Sequence, residues 1–78
     1  MPDSKHLIIH EPTLSTSGKT NIWRVHSKHD GSFLGEVRWF ARWCKYSFFP
    51  WNGCIFEQEC LRYLAEFLEE ETKRKRNG

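Results

Sequence analysis

Polar and apolar positions alternate along two neighbouring stretches of the chain, and near its end they recur with a helical period. In residues 20–28, Trp23, Val25 and Ser27 fall on one side of an extended chain, with Ile22, Arg24 and His26 on the other. Alternation of period two, rich in β-branched and aromatic side chains, predicts a strand. Residues 33–40 alternate again after the turn signal His29-Asp30-Gly31-Ser32.

The length of that turn decides which faces agree. A two-residue Asp30-Gly31 loop sets Val25 against Glu36 and Trp23 against Arg38, which mixes core and solvent residues. A three-residue loop, His29-Asp30-Gly31 with a left-handed Gly31 and a bulge, gives a different register. Trp23 then lies opposite Val37, Ser27 opposite Phe33, and Arg24 opposite Glu36. One face gathers Trp23, Val25, Phe33, Val37 and Trp39, while the other pairs opposite charges. Because a slip of one residue turns every side chain over, this coherence selects the second register. Gly35 then faces inward opposite Val25 and leaves room for a ring to lie on the sheet.

A short connection over residues 41–44 leads to a third strand at 45–49, ended by Pro50, which has no N–H to continue a ladder. An even-length connection brings Tyr46 and Phe48 to the core face beside Trp39 and Val37; an odd one brings Ser47 and Phe49 instead. The even connection is expected. Trp51-Asn52-Gly53 turns the chain, and from Glu57 the residues Cys60, Leu61, Leu64, Ala65, Phe67 and Leu68 form a stripe at helical spacing. Glu57 and Glu59 in the first turn, and Lys73, Arg74, Lys75 and Arg76 in the last, suit the helix dipole. Glu69, Glu70 and Glu71 each stand four residues before a cation, the favourable order for helical ion pairs. No Ser, Thr or Asp stands beside Glu57 to cap the helix. The stripe has to be buried, and the Trp23/Val37/Trp39 face is the apolar surface at hand. The expected architecture is α+β: a three-stranded antiparallel sheet packed on one C-terminal helix, β-β-β-α, over residues 20–76.

Residues 1–19 are rich in Ser, Thr, Pro and charge and read as a flexible arm. Within them His6-Leu7-Ile8-Ile9-His10 would form an extra edge strand or dock on a partner, and composition favours disorder. Seventy-eight residues suffice for one domain. Four Trp, six Phe and two Tyr give so short a chain the material for a dense core, since each ring buries roughly 150–250 Å². Three cysteines form an odd set without a C-x-x-C pair, which predicts reduced thiols and a cytoplasmic protein. No apolar run has the length of a signal sequence or a membrane span.

The run Leu34-Gly35-Glu36-Val37-Arg38-Trp39, followed by Lys45-Tyr46, Phe48-Phe49-Pro50, Phe56 and Cys60-Leu61, resembles small uncharacterised prokaryotic and phage proteins. The resemblance spans residues 33 to 70 and implies no activity. In topology the expected chain is similar to the sheet-plus-helix DNA-binding modules of tyrosine integrases and of the plant AP2 domain. That likeness is one of fold alone.

Candidate chemistry is sparse. His6 and His10 stand four apart and His26 and His29 three apart, but no thiolate pair has zinc-ribbon or finger spacing. No histidine is recognisably set beside Cys44 or Cys54 to make a nucleophile, and the glutamates are spread along a solvated helix. No catalytic, cofactor or metal site is expected, and the chain reads as a non-enzymatic interaction module. Its candidate binding face is the side of the sheet away from the helix, where Arg24, Arg38, Phe40, Trp43, Lys45 and Phe49 interleave cations with rings. The expected partner there is a protein; the alternative is DNA, held by phosphate contacts and stacking. The mild net charge of +2 and Glu36 among the arginines favour the protein. The basic residues 73–76 follow three glutamates, so helix-end electrostatics explains them.

Overall fold

A computed structural model describes residues 6–77 of the chain; the first five residues of the expected arm lie outside the described residues. Strands β1 (Leu7–Ile9), β2 (Thr13–Leu14), β3 (Asn21–Ser27), β4 (Phe33–Phe40) and β5 (Lys45–Pro50) precede one helix, α1 (Gln58–Asn77). The sheet is antiparallel in the order β1-β3-β4-β5, with β2 pairing the start of β3. The fold is therefore α+β with a C-terminal helix, as the patterning predicts, but three strands understate the sheet.

The additional strands come from the segment whose composition favours disorder. Leu7 pairs with Ser27 and Ile9 with Val25, so both apolar side chains reach the core face while Ile8 points outward opposite His26. Leu7 is only 3% exposed. Backbone bonds from His10 N to Arg24 O (3.0 Å) and from Lys28 N to His6 O (2.9 Å) close the two ends of the pairing. A three-residue strand carries no period to detect; what fixes it is the apolar surface of β3 that it covers.

Trp23 lies opposite Val37, Arg24 opposite Glu36 and Val25 opposite Gly35, as the charge and core pattern requires. Beyond Val25 the register shifts and His26 faces Phe33, leaving Leu34 as the extra residue of a bulge. The register expected from the three-residue turn sets Ser27 opposite Phe33 and Phe33 in the core. Instead Phe33 turns outward onto His26 (ring centroids 5.4 Å apart), and Leu34 packs against the core. Two large apolar neighbours cannot both serve one face of a regular strand, and the bulge accommodates both. The turn is one residue longer than expected, over residues 28–31. It is closed by Gly31 N to Ser27 O at 3.0 Å and Ser27 N to Ser32 O at 2.9 Å. Asp30 Oδ1 accepts both the Ser32 N–H (3.0 Å) and its hydroxyl (2.8 Å), bonds that hold the Asp30 carboxyl below its ordinary pKa.

The β4–β5 hairpin follows the even connection: Trp39 faces Tyr46 and Val37 faces Phe48. The ring that lies over Gly35 is that of Phe48. A Cβ at position 35 would stand 2.7 Å from Phe48 Cζ and 2.5 Å from Phe49 O, at a φ of +151° that favours glycine.

Tyr46 ties β3, β4 and α1 to β5. Its ring meets Trp23 and Trp39 edge-on at 5.1 and 5.2 Å, its N–H donates to Thr72 Oγ1 at 3.0 Å, and its hydroxyl accepts the Asn21 N–H at 3.2 Å. Trp23 also meets Phe67 of the helix edge-on at 5.1 Å. The helix buries Cys60, Leu64, Phe67 and Thr72, with Tyr63 and Leu68 beside them. Leu61, expected in the stripe, is 51% exposed, and Ala65 is exposed as well; the sheet is met by a stripe rotated away from them. The missing cap is supplied by Glu57 itself, whose Oε1 accepts the Cys60 N–H at 2.7 Å. That backbone bond lowers the Glu57 pKa, while burial raises that of the Cys60 thiol.

Candidate functional site

On the side of the sheet opposite α1, alternation delivers Arg24 from β3, Glu36, Arg38 and Phe40 from β4, and Lys45, Ser47 and Phe49 from β5. The β4–β5 turn adds Trp43. Cys44 closes this turn with a positive φ of 52°, and Trp43 N donates to Phe40 O at 3.2 Å. The tight loop sets Trp43 edge-on to Phe40, ring centroids 4.8 Å apart, while Phe40 meets Phe49 at 6.1 Å. Trp43 remains 63% exposed.

Arg38 completes this group. Its guanidinium lies 4.2 Å from the centre of the Phe49 ring, and its Nε is 3.6 Å from Glu36 Oε1. The cross-strand pairing of Arg24 with Glu36 places their backbones opposite one another, but the ion pair forms along β4 with Arg38. Of the six residues expected to form the face, Phe40, Trp43, Phe49 and Arg38 make one contiguous group. Lys45 lies opposite Phe40 at the start of β5 and also lines the cleft toward the end of α1. Arg24 is exposed beside His10 and Glu11, apart from the aromatic group.

A second row of rings was not anticipated. His10 meets His26 edge-on at 4.7 Å, His26 meets Phe33 at 5.4 Å, and Phe33 meets Trp51 at 5.6 Å. The row exists because the Leu34 bulge turns Phe33 outward and because β1 brings His10 alongside β3. The only trace of it in the sequence is the pair of adjacent large apolar residues, Phe33 and Leu34. The His26 Nδ1 atom is buried under this row with no hydrogen-bond partner among the described residues.

The basic helix end is tied to the chain. Lys75 Nζ donates to Lys19 O at 2.9 Å, Arg76 to Cys44 O at 3.1 Å, and Arg74 pairs with Glu71 at 3.3 Å. The Lys75 and Arg76 bonds fasten the helix end to the loops before β3 and β5, while the Arg74–Glu71 pair stays within α1. The thiols differ in setting: Cys60 is buried, Cys54 half-buried, and Cys44 exposed with its Sγ 3.3 Å from Ala41 O. No helix among the described residues is long and apolar enough to cross a membrane. No protein-family model, curated protein or solved structure matches the chain.

Proposed function

We propose that the chain is a non-enzymatic binding module that takes a protein partner on the open face of its sheet, with Phe40, Trp43 and Phe49 at the centre of contact. The observation that supports this reading is the largely exposed Trp43 held edge-on against Phe40, itself against Phe49. Rings positioned by a rigid hairpin lose little conformational freedom on binding, and anchors of this kind commonly carry about 2 kcal/mol or more each. Arg38, stacked on Phe49 and paired with Glu36, serves as a polar rim.

The competing reading, duplex DNA on the same face, draws on Arg24, Arg38 and Lys45. Glu36 engages Arg38 and leaves that cation less to give a phosphate. The test compares immobilised wild-type chain, a Trp43→Ala variant and an Arg24→Ala/Lys45→Ala variant as baits in extract of the source cell, with mixed-sequence duplex DNA titrated separately. A protein retained by the wild type and the charge variant, and lost with Trp43→Ala, is the expected result. DNA binding with a log–log salt slope near −3, about −0.9 per phosphate contact, that disappears in the charge variant would instead establish the competing reading.

A further inference from the structure

The β1 pairing brings a histidine from the start of the chain to the beginning of the helix. His6, Glu57 and Glu59 each offer a ligand atom, and these atoms lie within 4.8 Å of one another. Ligand atoms around a first-row divalent ion, each about 2.0–2.2 Å from it, stand at most about twice that distance apart. A small rotation of the exposed Glu59 carboxylate closes the difference. One imidazole with two carboxylates suits ions that accept both nitrogen and hard oxygen ligands and retain water in the remaining positions.

Two further features fit such a site. His6 Nδ1 lies 2.9 Å from His29 Nε2, across from the turn between β3 and β4. Metal-ligating histidines regularly engage their second ring nitrogen in this way, which fixes the tautomer and orients the ring. Glu57 uses Oε1 to cap the Cys60 N–H, and that bond sets the carboxylate in place at the first turn. A carboxylate has about four lone-pair positions, so capping leaves it able to ligate. A second glutamate in the same turn brings two negative charges together, and a cation between them offsets their repulsion.

We propose that His6, Glu57 and Glu59 bind a first-row divalent cation, with His29 positioning the His6 ring. The ion adds a link between the residue that precedes the first strand and the start of the helix, where Leu7 and Cys60 already share the core. This site is separate from the aromatic face and independent of its function.

Mn²⁺ is the probe of choice, because it prefers oxygen and nitrogen ligands to the thiols of Cys44 and Cys54 and broadens nearby NMR lines. Titrated into the full chain, it is expected to broaden the amides of His6 and residues 57–60 first, while Glu69, Glu70 and Glu71 stay sharp. His6→Gln and Glu59→Gln each weaken this effect by about tenfold or more, and His29→Ala by about 10–100-fold, the range for a supporting residue. Glu59→Gln alters an exposed helix residue without a capping role, so it decides the matter if His6→Gln loosens β1. Broadening centred on Glu69, Glu70 and Glu71 or on His10 and His26 would overturn the proposal. So would broadening at residues 57–60 that survives Glu59→Gln.

Discussion

The Arg38 guanidinium lies 4.2 Å from the centre of the Phe49 ring while its Nε stands 3.6 Å from Glu36. One cation thus spans a ring on β5 and a carboxylate on its own strand. At an exposed site a cation–π contact is worth about 0.5–1 kcal/mol and an ion pair at most about as much. Arg38→Ala, which removes both, is expected to lower stability in urea by about 2 kcal/mol at most. A loss of several kcal/mol would mean that Arg38 supports the core rather than rims the face.

β1 makes a sharper demand. Leu7 is buried against the core and Ile8, its neighbour, points to the open face. Leu7→Ala should cost about 2–5 kcal/mol, the range for a buried leucine, and Ile8→Ala under about 1 kcal/mol. Denaturation midpoints that coincide for the two variants would detach β1 from the core.

Gly35 tests the packing of the hairpin. Alanine there meets the Phe49 carbonyl and the Phe48 ring, whereas alanine at Gly53, also at positive φ, meets nothing within 4 Å. Both substitutions carry a conformational cost of about 1–2 kcal/mol. Gly35→Ala adds overpacking of about 1–3 kcal/mol, so the difference between the two, measured by thermal or chemical denaturation, should be at least about 1 kcal/mol.

Glu57 predicts the direction of an acid transition. Its carboxyl is held below the ordinary glutamate value by the Cys60 N–H that it accepts. The folded state therefore binds fewer protons than the unfolded state in the window between the two pKa values. The cap's contribution is complete above the unfolded value of about 4.3 and is lost as pH falls through the lower folded value. An NMR titration of Glu57 should give a midpoint below that of a free glutamate. In Glu57→Gln this part of the pH dependence should be absent.

The central strands were legible because alternation and turn chemistry constrain one another. With Gly31 in the turn, one register put Trp23 on Val37 and Arg24 on Glu36, and that register formed. The bulge was not legible. Whether Phe33 or Leu34 turns inward depends on the Trp51 and His26 rings waiting outside, and no local pattern contains them. β1 escaped for a similar reason, since three apolar residues acquire meaning only from the surface they cover. Glu57 escaped because glutamate seldom caps its own helix. Phe40, Phe49 and Arg38 followed from strand parity alone, and Trp43 from its place in a tight loop. The His6–Glu57–Glu59 group was out of reach, since about fifty residues separate the histidine from the glutamates and no spacing motif links them.

Thr72 has a consequence beyond its bond to Tyr46. β5 lies at the border of the sheet, where unpaired backbone groups invite another chain to add a strand and start a fibril. The Tyr46 N–H points outward there and is taken by Thr72, and Pro50, two alternations further along the same border, has no N–H to offer. That leaves Phe48 between them as the remaining outward donor of the strand. One donor is too few to template a growing ladder. A chain that carries exposed rings on its face is thus guarded along this border against the form of aggregation to which sheets are most prone.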